Sequence, residues 1–166
     1  TNLEWARARL KALTANPTGA MFWMYPMALV MNAGEAHLNA EDWAVIRDAW
    51  RTYFPYRGDT ENHWLMYYAS LYLAAEKWPD LDGSAWYNGK SSAENRAEAK
   101  EYLLETFRIT SAHGRGEYDS PNYIDPYVSA MTLLAGWCHD PELRQLAEMM
   151  LNYDLLDFAV ENLDGV

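Results

Sequence analysis

From Trp64 to Trp78 the apolar residues fall at Trp64, Tyr68, Leu71, Tyr72, Ala75 and Trp78. These steps of three and four line one side of an α-helix and cannot line one face of a strand. The same spacing recurs along the chain. Leu3, Ala6, Leu10 and Leu13 mark a first helix from Asn2 to Ala15, stopped by Asn16-Pro17-Thr18-Gly19. A second, over 20–32, is Met-rich and apolar on nearly all sides, which reads as an inner helix enclosed by others and kinked or broken at Pro26. Asn39 caps a third over 40–53, with Trp43, Ile46 and Trp50 inward and Arg47, Asp48 and Arg51 in water. The fourth, over 61–78, takes Asp59 or Thr60 as its cap and buries Trp64, Tyr68, Leu71 and Tyr72. A fifth follows Ser91 or Ser92 to about residue 109 with a charged outer face, a sixth starts near Asn122 or Asp125 and runs to about His139, and a seventh starts at Pro141.

No alternating strand pattern interrupts this series, so the fold class is all-α. Short Pro/Gly turns between helices, some polar-faced and some apolar all round, predict stacked αα-hairpins in an inner and an outer layer. That is the plan of an α/α toroid or an arc of one. Residues 1–166 are read as a single helical domain, or as part of a larger toroid whose remaining hairpins would be its partner.

The chain has 24 acidic and 13 basic residues, a formal charge of −11, and its field repels phosphate backbones, so no nucleic-acid partner is expected. The longest apolar stretch, over 20–31, is too short and too broken to span a bilayer, so no membrane partner is expected. Thr1 opens the chain without a signal segment. That fits a periplasmic or secreted protein if such a segment has been removed, and a cytoplasmic one otherwise. Cys138 is the only cysteine, which excludes an internal disulfide and a cysteine zinc cluster. No metal site or cofactor is expected, because His63 with Glu61 or Asp59 lacks the spacing that sets two ligands on one helix face.

Eight Trp and twelve Tyr against four Phe favour rings with a polar edge. Such rings suit a sugar cleft, where the C–H face of a pyranose stacks and its hydroxyls meet N–H and O–H groups. Trp64, Tyr67 and Trp86 are the rings nearest the polar loops. Trp86 and Tyr87 stand in an irregular loop as exposed rings.

Chemistry-bearing residues concentrate in two loops. One is Arg57-Gly58-Asp59-Thr60-Glu61-Asn62-His63, which enters the fourth helix. The other runs from His113 and Gly114 through Arg115, Gly116, Glu117, Tyr118, Asp119, Ser120, Pro121 and Asn122 to Tyr123. Glu61 with Glu117 or Asp119 could form the carboxylate pair of a glycosidase, whose separation sets the outcome. The bland alternative is that Glu61 and Asn62 satisfy first-turn donors and the helix dipole, and that Ser120-Pro121 is ordinary capping.

Glu61-Asn62-His63 followed by Gly116-Glu117-x-x-Ser120-Pro121-x-Tyr123 resembles the α/α-toroid polysaccharide lyases, the alginate-lyase and heparinase-like group. It also resembles six-hairpin glycosidase-like helical proteins of bacteria. The resemblance spans roughly residues 59–156. It implies a carbohydrate-active protein taking an oligo- or polysaccharide, with β-elimination on a uronate-containing glycan ahead of hydrolysis. Asn62 would neutralise the uronate carboxylate, His63 would remove the C5 proton, and Tyr118 or Tyr123 would protonate the leaving oxygen. Arg115 would clamp the carboxylate. His113, in the same loop, is a further candidate for substrate binding from its position alone. A non-catalytic helical module that binds glycan or protein is the alternative from another class.

Overall fold

The computed structural model describes residues 2–117, 120 and 122–161. These form seven α-helices, α1 (Asn2–Ala15), α2 (Met21–Ala33), α3 (Ala40–Thr52), α4 (Glu61–Lys77), α5 (Ser92–His113), α6 (Ile124–Trp137) and α7 (Pro141–Glu161), with 3-10 turns at Glu35–His37 and Gly83–Ala85. There is no strand among the described residues, and the fold is all-α.

Helix α4 is the centre of the molecule. It packs against α2, α5 and α6, and every residue from Leu65 to Ala75 is buried. Close approach on several sides requires small residues between the large ones, and Ala69, Ser70, Ala74 and Ala75 supply them. The Ser70 hydroxyl meets its polar demand inside the helix by donating to the Met66 carbonyl at 2.6 Å. The even-numbered helices α2, α4 and α6 pack on one another, α5 lies on α4, α7 lies on α6, and α5 touches α7. Helix α1 lies on α3.

Local signals set several helix ends. Asn39 and Ser91 each form a capping box, with Asp42 and Glu94 respectively, so two first-turn donors are satisfied within three residues of chain. Helix α5 runs on to His113, beyond the expected end, and stops where Gly114 takes φ +77.

Four expectations about exposure are corrected. Helix α2 continues through Pro26 and is not fully enclosed: Phe22 and Leu29 stay exposed on the side toward α1. Trp64 is only half-buried, because it sits at the open end of α4 with its indole N–H donating to the Gly58 carbonyl at 2.7 Å. Arg47 does not face water. Its guanidinium lies 4.7 Å from the Trp78 ring and 4.8 Å from the Trp86 ring, and burial pulls its pKa down to about 10. Trp86 is buried, since the 81–91 segment folds back on the core through Tyr87 N–H to Trp50 O at 3.1 Å and Ser92 N–H to Leu81 O at 2.9 Å. Tyr87 beside it is half-buried.

Candidate functional site

The first turn of α4 exposes backbone N–H groups that must find acceptors. Thr60 occupies the cap position, yet its side chain accepts no capping bond. The acceptor comes instead from the second loop. Glu117 Oε2 takes the Asn62 backbone N–H at 3.0 Å, and the Asn62 amide donates to Glu117 Oε2 at 2.8 Å and Oε1 at 2.9 Å. The contact is reciprocal. Glu61 Oε2 accepts the backbone N–H groups of Gly116 at 2.7 Å and Glu117 at 3.0 Å. A Cβ on Gly116 would lie 3.2 Å from that oxygen, so glycine lets the loop backbone approach the carboxylate.

Tyr127, in the first turns of α6, joins the two halves. Its hydroxyl lies 3.1 Å from Glu61 Oε2 and 3.2 Å from Glu117 Oε2. Burial, then the two carboxylates, push the Tyr127 pKa far above the ordinary phenol value, so this group remains a donor and does not ionise. One hydroxyl hydrogen thus serves two carboxyl groups whose residues are 56 positions apart in sequence. Both acids sit at the N-terminus of α4, where the helix dipole favours negative charge.

The ring of Tyr127 is backed by Arg115, whose guanidinium lies 4.6 Å from the ring centre. The Arg115 side chain is 6% exposed; it pairs with Asp154 of α7 and lies 3.9 Å from Asp157. The cation expected to clamp a substrate is therefore a brace between the loop, α6 and α7. Burial pushes the Asp154 carboxyl up to about 6, against the pull of Arg115.

His63 turns away from this cluster, as a residue one step further round the helix must. Its ring meets Phe22 of α2 edge-on at 5.4 Å. Gly58, at φ +80, packs so closely on it that a Cβ there would fall 2.5 Å from Nδ1. That nitrogen is buried without a hydrogen-bond partner among the described residues.

The remaining candidates are dispersed. Tyr67 is buried, with its hydroxyl 2.6 Å from that of Tyr87. Trp64 lies under Arg57 at 4.6 Å. Trp86 is a core residue whose indole donates to Ser92 Oγ at 3.1 Å. His113 is exposed at the end of α5, and Tyr123 is exposed at the start of α6. Tyr118 and Asp119 lie outside the described residues. The structure therefore brings together Glu61, Asn62 and Glu117, and adds Tyr127, which the sequence reading missed. Its signal was available: Tyr127 follows Tyr123 by one helical turn, directly after the helix-starting Pro126.

Among the described residues no group of three or more His, Cys, Asp or Glu could hold a metal ion. No helix among them is long and apolar enough to cross a membrane. No protein-family model, curated protein or solved structure matches the chain.

Proposed function

We propose that this is a carbohydrate-active protein whose reacting groups are the Glu61 and Glu117 carboxyls, acting as a pair on a glycosidic bond. The observation that carries the reading is their meeting on the single hydroxyl of Tyr127. Two carboxyl oxygens that share one donor lie within two hydrogen-bond lengths of each other. This suits the closer class of glycosidase pairs, with carboxyls about 5 to 5.5 Å apart, and not the wider class that admits a water between them. In such a pair one carboxyl gives its proton to the glycosidic oxygen while the other attacks the anomeric carbon. Water then releases the sugar, and the first carboxyl, now the base, recovers its proton. Tyr127 and the loop N–H groups orient both acids. The Trp and Tyr content and the resemblance to α/α-toroid and six-hairpin proteins support a sugar substrate.

Elimination is the second reading, supported by the Nδ1 of His63, beside Asn62, which has no hydrogen-bond partner among the described residues. It is weakened by the amide of Asn62, which already donates to Thr60 Oγ1 at 3.2 Å as well as to Glu117, leaving no hydrogen for a uronate carboxylate.

Incubation with a panel of neutral and uronate-containing polysaccharides separates these readings. Hydrolysis yields new reducing ends without the ultraviolet absorbance of a 4,5-unsaturated sugar, and Glu61→Gln or Glu117→Gln lowers the rate by roughly 10² to 10⁴. Absorbance of the unsaturated product, lost in His63→Ala, would replace hydrolysis by elimination. Glycan binding with no new ends of either kind would refute catalysis and leave a binding module.

A further inference from the structure

Arg115 of the second loop and Asp154 of α7 are both buried, and they pair with each other. A charge taken out of water needs such a partner, because attraction in the interior has to offset the lost hydration. Asp157, one turn further along α7, stands 3.9 Å from the same guanidinium. The ring centres of Tyr127 in α6 and Tyr153 in α7 lie 4.6 and 5.7 Å from it. The space left beside these groups, bounded also by Leu65, Thr110 and Met150, is about 10 Å³, roughly the least that admits one water. The guanidinium therefore has one seat.

The pair is a poor source of stability. Burial disfavours the charged Asp154 carboxyl more than Arg115 favours it, which is why its pKa stands at about 6. At neutral pH the charged pair thus subtracts from the fold what a proton on Asp154 would return. What the pair fixes is position. Along the chain, the two residues that follow Arg115, Gly116 and Glu117, give their backbone N–H groups to Glu61 Oε2, and the Glu117 side chain takes the Asn62 N–H. Across the ring, Tyr127 holds its hydroxyl 3.1 and 3.2 Å from the two carboxyls. Moving the guanidinium moves both the loop that carries one acid and the hydroxyl that joins the two.

We propose that Asp154 is a positioning residue of this site: acting through Arg115 and on neither acid directly, it fixes the separation of the Glu61 and Glu117 carboxyls. Its effect on rate rests on the reading of these carboxyls as the reacting groups. Its effect on their geometry does not.

Amide hydrogen exchange, followed by NMR on the full chain at about pH 7.5 where Asp154 is charged, tests the geometry. In Asp154→Ala the Asn62, Gly116 and Glu117 amides are expected to exchange roughly 10- to 100-fold faster than in the wild type, the measure of a lost bond to a charged acceptor. Rates are read against the amides of α3, which packs on α1 and reports global opening. Leu143→Ala opens a cavity at a buried position of the same helix, about three turns back. It should leave that ratio unchanged. Should Asp154→Ala not fold, Asp154→Asn, which keeps the volume and drops the charge, carries the same expectation. On any polysaccharide that the wild type cleaves, the Asp154 variant should lose kcat by roughly 10²-fold with KM little changed, as misplaced reacting groups require. Unchanged exchange at the three amides, or an equal rise in Leu143→Ala, would overturn the proposal. So would a variant that loses this protection yet keeps its kcat. A wild type that cleaves nothing refutes the glycosidase reading alone, and the exchange rates still decide whether Asp154 sets the site.

Discussion

The bond between Glu117 and Asn62 couples the second loop to α4, and a double-mutant cycle measures it. Glu117 accepts the Asn62 backbone N–H at 3.0 Å and the Asn62 amide at 2.8 and 2.9 Å. Removing a helix cap costs about 1 kcal/mol, and a hydrogen bond to a charged group about 1.5 to 3 kcal/mol. Glu117→Ala is offset in part by relief of its repulsion with Glu61, and Tyr127 keeps Glu61 as an acceptor. A net loss of about 2 kcal/mol follows, or roughly 4 to 8 °C in melting temperature for a chain of this size. Asn62→Ala removes the amide but leaves the backbone N–H capped, so it should cost about 1.5 kcal/mol. If the side chains bond as described, the double variant is less destabilised than the sum of the singles, by about 1 to 2 kcal/mol. Urea unfolding of the four proteins at constant slope gives these values. Additivity within about 0.5 kcal/mol would refute the bond between the Asn62 amide and Glu117.

Other consequences are local. Gly58→Ala places a Cβ 2.5 Å from His63 Nδ1 at φ +80, so chemical denaturation should show a loss of at least about 2 kcal/mol. Asp154, held up to about 6 by burial, binds a proton more tightly folded than unfolded. Its contribution is complete below its ordinary value of 3.8 and is lost as pH rises through about 6. That amounts to roughly 2 kcal/mol between pH 4 and pH 7, and Asp154→Asn should flatten this segment of a melting-temperature profile. The Cys138 thiol, buried beside Glu76 and pushed up to about 12, should resist alkylation at pH 8 until the chain is unfolded.

The helices and their order are legible in the chain because an α-helix is a local object: its period and its caps involve residues three or four positions apart. Asn39 with Asp42 and Ser91 with Glu94 belong to this class, as does the apolar run of α4. The loops that bear Glu61, Asn62 and Glu117 are legible for a similar reason, since each places polar groups where a helix begins. What the tertiary structure decided is which groups meet. Neither Asp59 nor Thr60 caps α4 through its side chain; Glu117 does so from 55 residues away. Arg115 turned from solvent toward Asp154, and Arg47 from water to the rings of Trp78 and Trp86. His63 faces Phe22, and the hydroxyl between the two carboxyls belongs to Tyr127. A charged or aromatic side chain is compatible with water and with a partner, and the choice rests on whether folding brings a partner within about 3 to 5 Å. That distance depends on how α4, α6 and α7 pack, and no spacing along the chain encodes it.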